Sequence, residues 1–190
     1  MIKTRTDSSG NPELKGNPPM KRIVTLLIAF VFCGCATNGQ RRGPSEPVSR
    51  MSNFDYGVDV LPTDGNKKQL SDFKGKKISI YYLSPKCPHC RHAMPHIEKA
   101  RKILDSAGYE RINICIKYST DEDYTNFIRD EKLTGYCFKD ADRNFANKYG
   151  TGSVPVFLVV NDSGDVVRYN SVSDTLGNQV AANLNACCKD

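Results

Sequence analysis

Lys86-Cys87-Pro88-His89-Cys90-Arg91 is the stretch of this sequence best equipped for chemistry. Two cysteines three residues apart on a first helical turn bring their side chains close enough to close a disulfide. A sulfur at a helix N-terminus faces unpaired amides and the positive end of the helix dipole, which favour a thiolate. Pro88 suits the first helical position, where a missing N–H costs nothing. Lys86, His89 and Arg91 are expected to add positive or polarisable charge. A thiolate stabilised in this way is also a better leaving group, which makes the oxidised pair a better oxidant. The competing readings are half of a metal site or a structural disulfide. A zinc site ordinarily needs a second ligand pair, and only His92 and His96 lie near, both on the same helix. The vicinal Cys187-Cys188 is a poor partner.

Pro155 is the second candidate. It opens the apolar run Val154-Pro155-Val156-Phe157, and proline is not an ordinary central-strand residue. Position alone leaves two readings open: a cis peptide leading into the strand, or a trans proline at a strand's first residue.

Four elements are expected to position these groups. Lys77–Leu83 is a β-prone apolar run that ends just before Cys87. Pro88–Ala107 reads as a helix, with Ala93, Met94, Ile97, Ala100, Ile103, Leu104 and Ala107 at helical spacing and Gly108 as its stop. Arg111–Tyr118 alternates, with Ile112, Ile114 and Ile116 on one face and Cys115 on the other. Val154–Val160 is an apolar strand that turns through Asn161–Gly164 into Asp165–Tyr169. Phe54–Val60 is expected to be an earlier strand, followed by a turn over 62–65. Asp121–Lys132, Asp140–Tyr149 and Asp174–Ala186 are expected helices. The order β-α-β-α-α-β-β-α implies parallel strands with right-handed crossovers and a late antiparallel hairpin, hence an α/β fold.

Residues 1–35 read as a leader. Met20-Lys21-Arg22, the apolar run to Cys33 and then Gly34-Cys35 follow the order of a secretory signal. The apolar run is too short for a bilayer-spanning helix. Cys35 after Gly34 resembles the bacterial lipobox, whose cysteine receives lipid, although Phe32 stands where an aliphatic residue is usual; the alternatives are a signal cleaved by the ordinary peptidase and an uncleaved anchor. Met20 makes a more natural start than Met1. Residues 36–52, rich in Gly, Pro, Ser and Arg, read as a flexible tether, and 53–190 as the folded domain. The expected location is therefore extracytoplasmic, with a lipid anchor holding the chain to a membrane, and there disulfides persist.

The chain has 190 residues and a formal net charge of +6, half of which comes from the leader. The balance of the domain argues against a nucleic-acid partner. The eight cysteines are too unevenly spaced for a disulfide scaffold. Cys115 reads as a buried thiol. Cys137 reads as core or as a partner for one of the C-terminal pair, and bonding Cys187 to Cys188 directly would strain the peptide.

Taken together, Leu70-Ser71-Asp72-Phe73-Lys74-Gly75-Lys76, Cys87–Cys90 with Met94-Pro95, Asp140 through Tyr149-Gly150, Val154-Pro155 and Asn161–Gly164 resemble the TlpA-like branch of the thioredoxin family over roughly 61–186. The resemblance implies a thioredoxin-like three-layer fold, a central mixed sheet flanked by helices. It implies thiol–disulfide exchange with Cys87 attacking and Cys90 resolving, Pro155 as a cis-proline, and Val154 offering backbone hydrogen bonds to substrate. It implies no cofactor beyond the redox-active Cys87–Cys90 disulfide and no metal. The implied partners are protein thiols or disulfides and a membrane or periplasmic redox protein. The alternative is a thioredoxin-like copper or zinc carrier without exchange activity. A peroxide-reducing enzyme lacks its Pro/Thr/Arg setting here. Three departures stand out: no tryptophan precedes Cys87, Ala93 replaces a glutamate found in reductive members, and Tyr81 replaces the buried aspartate of thioredoxins. With the Pro-His pair, which resembles strongly oxidising DsbA proteins, these lean toward an oxidant or isomerase.

Overall fold

The computed structural model describes residues 48–63 and 65–187. The expected leader, its lipidation site Cys35 and most of the expected tether lie outside the described residues. So do Cys188 and the side chain of Cys187.

Three parallel strands joined by helices form the centre of the sheet. β3 (Ile78–Leu83) runs into α1 (Pro88–Ser106), which returns to β4 (Glu110–Ile116). α2 (Asp121–Asp130) then leads to β5 (Tyr136–Asp140). A short helix α3 (Asn144–Tyr149) precedes the hairpin of β6 (Val156–Val160) and β7 (Val166–Tyr169), and α4 (Leu176–Cys187) closes the described chain. With β1 (Val48–Met51) and β2 (Leu61–Pro62), the sheet order is β1-β7-β6-β3-β4-β5-β2. β3–β4 and β4–β5 are parallel and every other pairing is antiparallel. The expected mixed sheet flanked by helices is therefore present.

Successive strand residues face opposite sides, so the sheet divides two cores. Ile78, Ile80, Tyr82, Ile112, Ile114, Leu158 and Val160 face Phe54, Phe73, Phe145 and Tyr149. Tyr81, Leu83, Cys115, Phe157 and Val159 face Ile97, Ala100 and Leu104 of α1, Tyr124 and Phe127 of α2, and Leu176 and Val180 of α4. All six residues of β3 are buried, as expected of a strand covered on both faces, which reads as a continuous apolar run.

The structure corrects four expectations. Phe54–Val60 is irregular, not a strand. Its apolar residues are in the core, but Asp55 accepts from the Gly57 amide at 2.9 Å, and this local turn displaces a ladder. Phe54 stacks on Tyr149 instead, with centroids 5.0 Å apart. The tether expected over 36–52 ends earlier, because Val48–Met51 pairs with β7 and covers an edge that would otherwise be open. β5 was not foreseen, and the helix expected to begin at Asp140 begins at Asn144. Pro62, expected to open the turn over 62–65, instead pairs with β5 beside Leu61, and the turn follows it, closed by the Asn66 amide donating to the Thr63 carbonyl at 3.0 Å.

Candidate active site

β3 ends at Leu83, and a turn over Ser84-Pro85-Lys86 is closed by the Cys87 amide donating to the Ser84 carbonyl at 3.1 Å. Cys87 is the N-cap of α1, with extended backbone (φ −88°, ψ 116°), and Pro88 opens the helix. The Cys87 carbonyl accepts from the Cys90 amide at 3.0 Å, so both cysteines sit on the first turn. The two sulfurs are free in the structure; Cys87 is half-buried and Cys90 fully buried.

The two sulfurs have different surroundings. Cys90 Sγ accepts from the Ser84 amide at 3.4 Å. Burial pushes its thiol up to about 12, opposed by that amide. Cys87 Sγ points across to the Val154 carbonyl at 3.9 Å. The Val154–Pro155 peptide is cis. Val154 lies within two residues of β6, the antiparallel neighbour of β3, so strand pairing brings together groups 67 residues apart.

A groove of about 510 Å³ runs beside the pair. His89, His92 and His96 form one wall, and Ser153, Val154 and Pro155 belong to the other. The expected charge around Cys87 is altered, because Lys86 pairs with Asp123 at 2.9 Å and Arg91 with Glu131. These carboxylates belong to α2 and the turn after it, whose docking beside α1 a local reading of the motif cannot show. Among the described residues no group of three or more His, Cys, Asp or Glu side chains could hold a metal ion.

Supporting contacts around the site were not anticipated. The Tyr81 hydroxyl donates to the Cys90 carbonyl at 2.8 Å. Asp140 accepts from the Tyr82 hydroxyl at 3.0 Å and from the Phe145 and Ala146 amides at 3.0 and 2.9 Å. It thereby caps α3, the helix from which the chain continues to Pro155. Arg101 lies fully buried on the inner face of α1. Its position one turn beyond Ile97 and one before Leu104 was the available sequence signal.

The Redoxin family model matches residues 48–184. The chain belongs to the Redoxin family. Among curated relatives, the thiol-disulfide oxidoreductase ResA of Bacillus subtilis (strain 168) is 26% identical over 147 residues, covering 77% of this chain and 81% of ResA. ResA of Bacillus thuringiensis subsp. konkukian (strain 97-27) is 24% identical over 157 residues, covering 82% and 88%. Among solved structures, the thioredoxin domain of a thiol-disulfide oxidoreductase from Bacteroides vulgatus superposes with a TM-score of 0.57 at 21% identity, covering 73% of this chain and 94% of that one. StoA from Bacillus subtilis gives 0.52 at 15% identity, covering 67% and 99%. This Redoxin-family chain is a TlpA-like thiol–disulfide oxidoreductase with a thioredoxin-like fold.

Proposed function

We propose that this oxidoreductase exchanges disulfides with cysteines of exported polypeptides through its Cys-Pro-His-Cys motif, using no cofactor beyond the Cys87–Cys90 disulfide. The Cys87 thiolate attacks one sulfur of a substrate disulfide. A Cys87–substrate bond forms, and the other substrate sulfur leaves with the electron pair. Cys90 then attacks Cys87 Sγ, closing the Cys87–Cys90 disulfide and releasing the second substrate thiol. Run in reverse, the same steps oxidise a dithiol substrate. The observation that carries this reading is the contrast between the sulfurs: Cys87 half-exposed against the Val154 carbonyl, Cys90 enclosed behind it. Only the first can meet a large substrate, and only the second is sheltered from side reactions. Val154 and Pro155 border the groove where the substrate chain would lie.

The signal-like leader and the relatives' class support an extracytoplasmic location, with lipid on Cys35 as anchor and a membrane or periplasmic redox protein recharging the pair. Cys87→Ser abolishes insulin disulfide reduction and oxidative refolding activity, whereas Cys90→Ser accumulates a thiol-cleavable adduct on Cys87. Wild-type turnover by Cys87→Ser would refute the reading. Cys35→Ser moves the protein out of the membrane fraction; unchanged fractionation would remove the anchor.

A further inference from the structure

The resolving step of this exchange requires buried Cys90 to become an anion, yet among the described residues no buried carboxylate shares its face of the sheet. Asp140, the only buried acid among the described residues, bonds Tyr82, whose side chain belongs to the opposite face of the sheet. On the Cys90 face there is a buried cation instead. Arg101 is fully buried, and burial lowers its pKa to about 10. One of its nitrogens, Nη2, donates to the Ile112 carbonyl at 2.9 Å. Its Nε and Nη1 are buried without a hydrogen-bond partner. The nearest acid, Glu98, stands 3.9 Å from Nη1 and is held by Arg111 at 2.9 Å. The core behind the active site thus carries a positive charge whose counter-ion is shared and distant.

Tyr81 stands between that charge and Cys90. The Arg101 guanidinium carbon is 6.0 Å from the centroid of the Tyr81 ring. The ring is fully buried, and its hydroxyl donates to the Cys90 carbonyl. Its single proton is held by that carbonyl at rest, and a donor in this place opposes the burial that raises the Cys90 thiol. Desolvation keeps the phenol itself protonated, with its pKa far above the ordinary range, so it serves as a donor and not as a base.

We propose that Tyr81 and Arg101 are positioning residues for the resolving step: the phenol turns its proton from the Cys90 carbonyl to the sulfur as that sulfur becomes anionic, and the guanidinium behind the ring supplies buried positive charge on the same face of the sheet. The inference rests on the exchange reading of Cys87 and Cys90. In that step Cys90 gives up its proton and its sulfur attacks Cys87 Sγ. The Cys87–Cys90 bond forms and the Cys87–substrate bond breaks. The electron pair departs on the substrate sulfur, which takes up the proton. A fixed charge and a neutral donor thereby do by electrostatics what a general base would do by proton transfer.

The full chain, reduced and mixed with 5,5′-dithiobis(2-nitrobenzoate), separates the two steps. Acid quench and mass spectrometry of the peptide bearing Cys87 show the thionitrobenzoate adduct rise as Cys87 attacks and decay as Cys90 resolves. Tyr81→Phe and Arg101→Met slow the decay about tenfold at neutral pH, the equivalent of one pKa unit. The deficit keeps its size up to about pH 11, below the point where Cys90 itself ionises, while the rise of the adduct stays native, and Arg101→Lys restores most of the decay rate. A native decay rate in Tyr81→Phe, or a rise of the adduct slowed as much as its decay, overturns the proposal. Tyr81→Phe decides alone should Arg101→Met fail to fold. Absence of any adduct in the unmutated chain would refute the exchange reading instead.

Discussion

Removing the Asp140 carboxylate takes the acceptor from three buried or partly buried donors at once: the Tyr82 hydroxyl and the Phe145 and Ala146 amides. The carboxylate is itself fully buried, so little solvent can replace it without rearrangement. A hydrogen bond to a charged acceptor is worth about 1.5 kcal/mol at the low end, so losing three makes Asp140→Ala cost about 4.5 kcal/mol, close to the whole stability of a marginal domain. Asp140→Asn keeps one carbonyl oxygen for two donors but turns an amide N–H toward the third, at a cost of about 2 kcal/mol. The assay is urea unfolding, with the midpoint shifted and the slope unchanged. A double-mutant cycle sharpens it: in a Tyr82→Phe background no hydroxyl is orphaned, and the loss at Asp140 shrinks by about 1 kcal/mol. The loss also reaches the site. α3 runs through Gly150 and Thr151 to Val154, so a frayed α3 loosens the carbonyl facing Cys87 and slows exchange. An Asp140→Ala cost below about 1 kcal/mol would refute the argument that this carboxylate organises α3.

Gly135 adopts φ +106°, and a Cβ there would lie 2.4 Å from the Arg111 carbonyl oxygen. Gly135→Ala therefore destabilises by roughly 1–3 kcal/mol, read from the urea midpoint. In the reduced protein, burial raises Cys90 and Cys115 from an ordinary 9.0 to about 12 and about 11. Between those values the unfolded thiols ionise while the folded ones stay protonated, so their stabilising contribution is complete below pH 9.0 and is lost as pH rises toward 12. Urea midpoints across this range should fall, and Cys115→Ala should flatten the fall up to about pH 11.

The elements legible in the sequence were those whose burial is written along one stretch of chain. β3 and β6 are covered on both faces and read as apolar runs; α1 repeats its buried positions each turn; the Ile residues of β4 alternate with Asn113 and Cys115. β5 escaped because it is five residues long, carries Lys139 and ends in Asp140, whose role is to fold back onto the following helix. That contact with the first turn of α3 also made Asp140 look like a helix start. β1 escaped because Val48-Ser49-Arg50-Met51 is strand-forming only through the edge of β7 that it covers. Within the site, the spacing of Cys87 and Cys90 and the place of Pro155 were readable. The partners of Lys86 and Arg91 were not, since those contacts exist only once α2 has docked.

The meeting of Cys87 with Val154 follows from strand register. β3 and β6 are antiparallel with Tyr82 opposite Val156 and Ile80 opposite Leu158. The end of one strand therefore lies beside the start of the other, and the residues just outside the ladder are brought within reach. A slip of one residue would displace Val154 by about 3.3 Å, comparable to the whole sulfur–carbonyl separation of 3.9 Å. The same slip would turn every side chain of one strand to the other face, forcing Phe157 and Val159 out of the helix-facing core and Leu158 out of the opposite one. The cost of exchanging two buried faces holds the register, and the register holds the carbonyl against the sulfur. Packing at Ile80 and Leu158, well inside the sheet, is in this sense part of the machinery that presents Cys87.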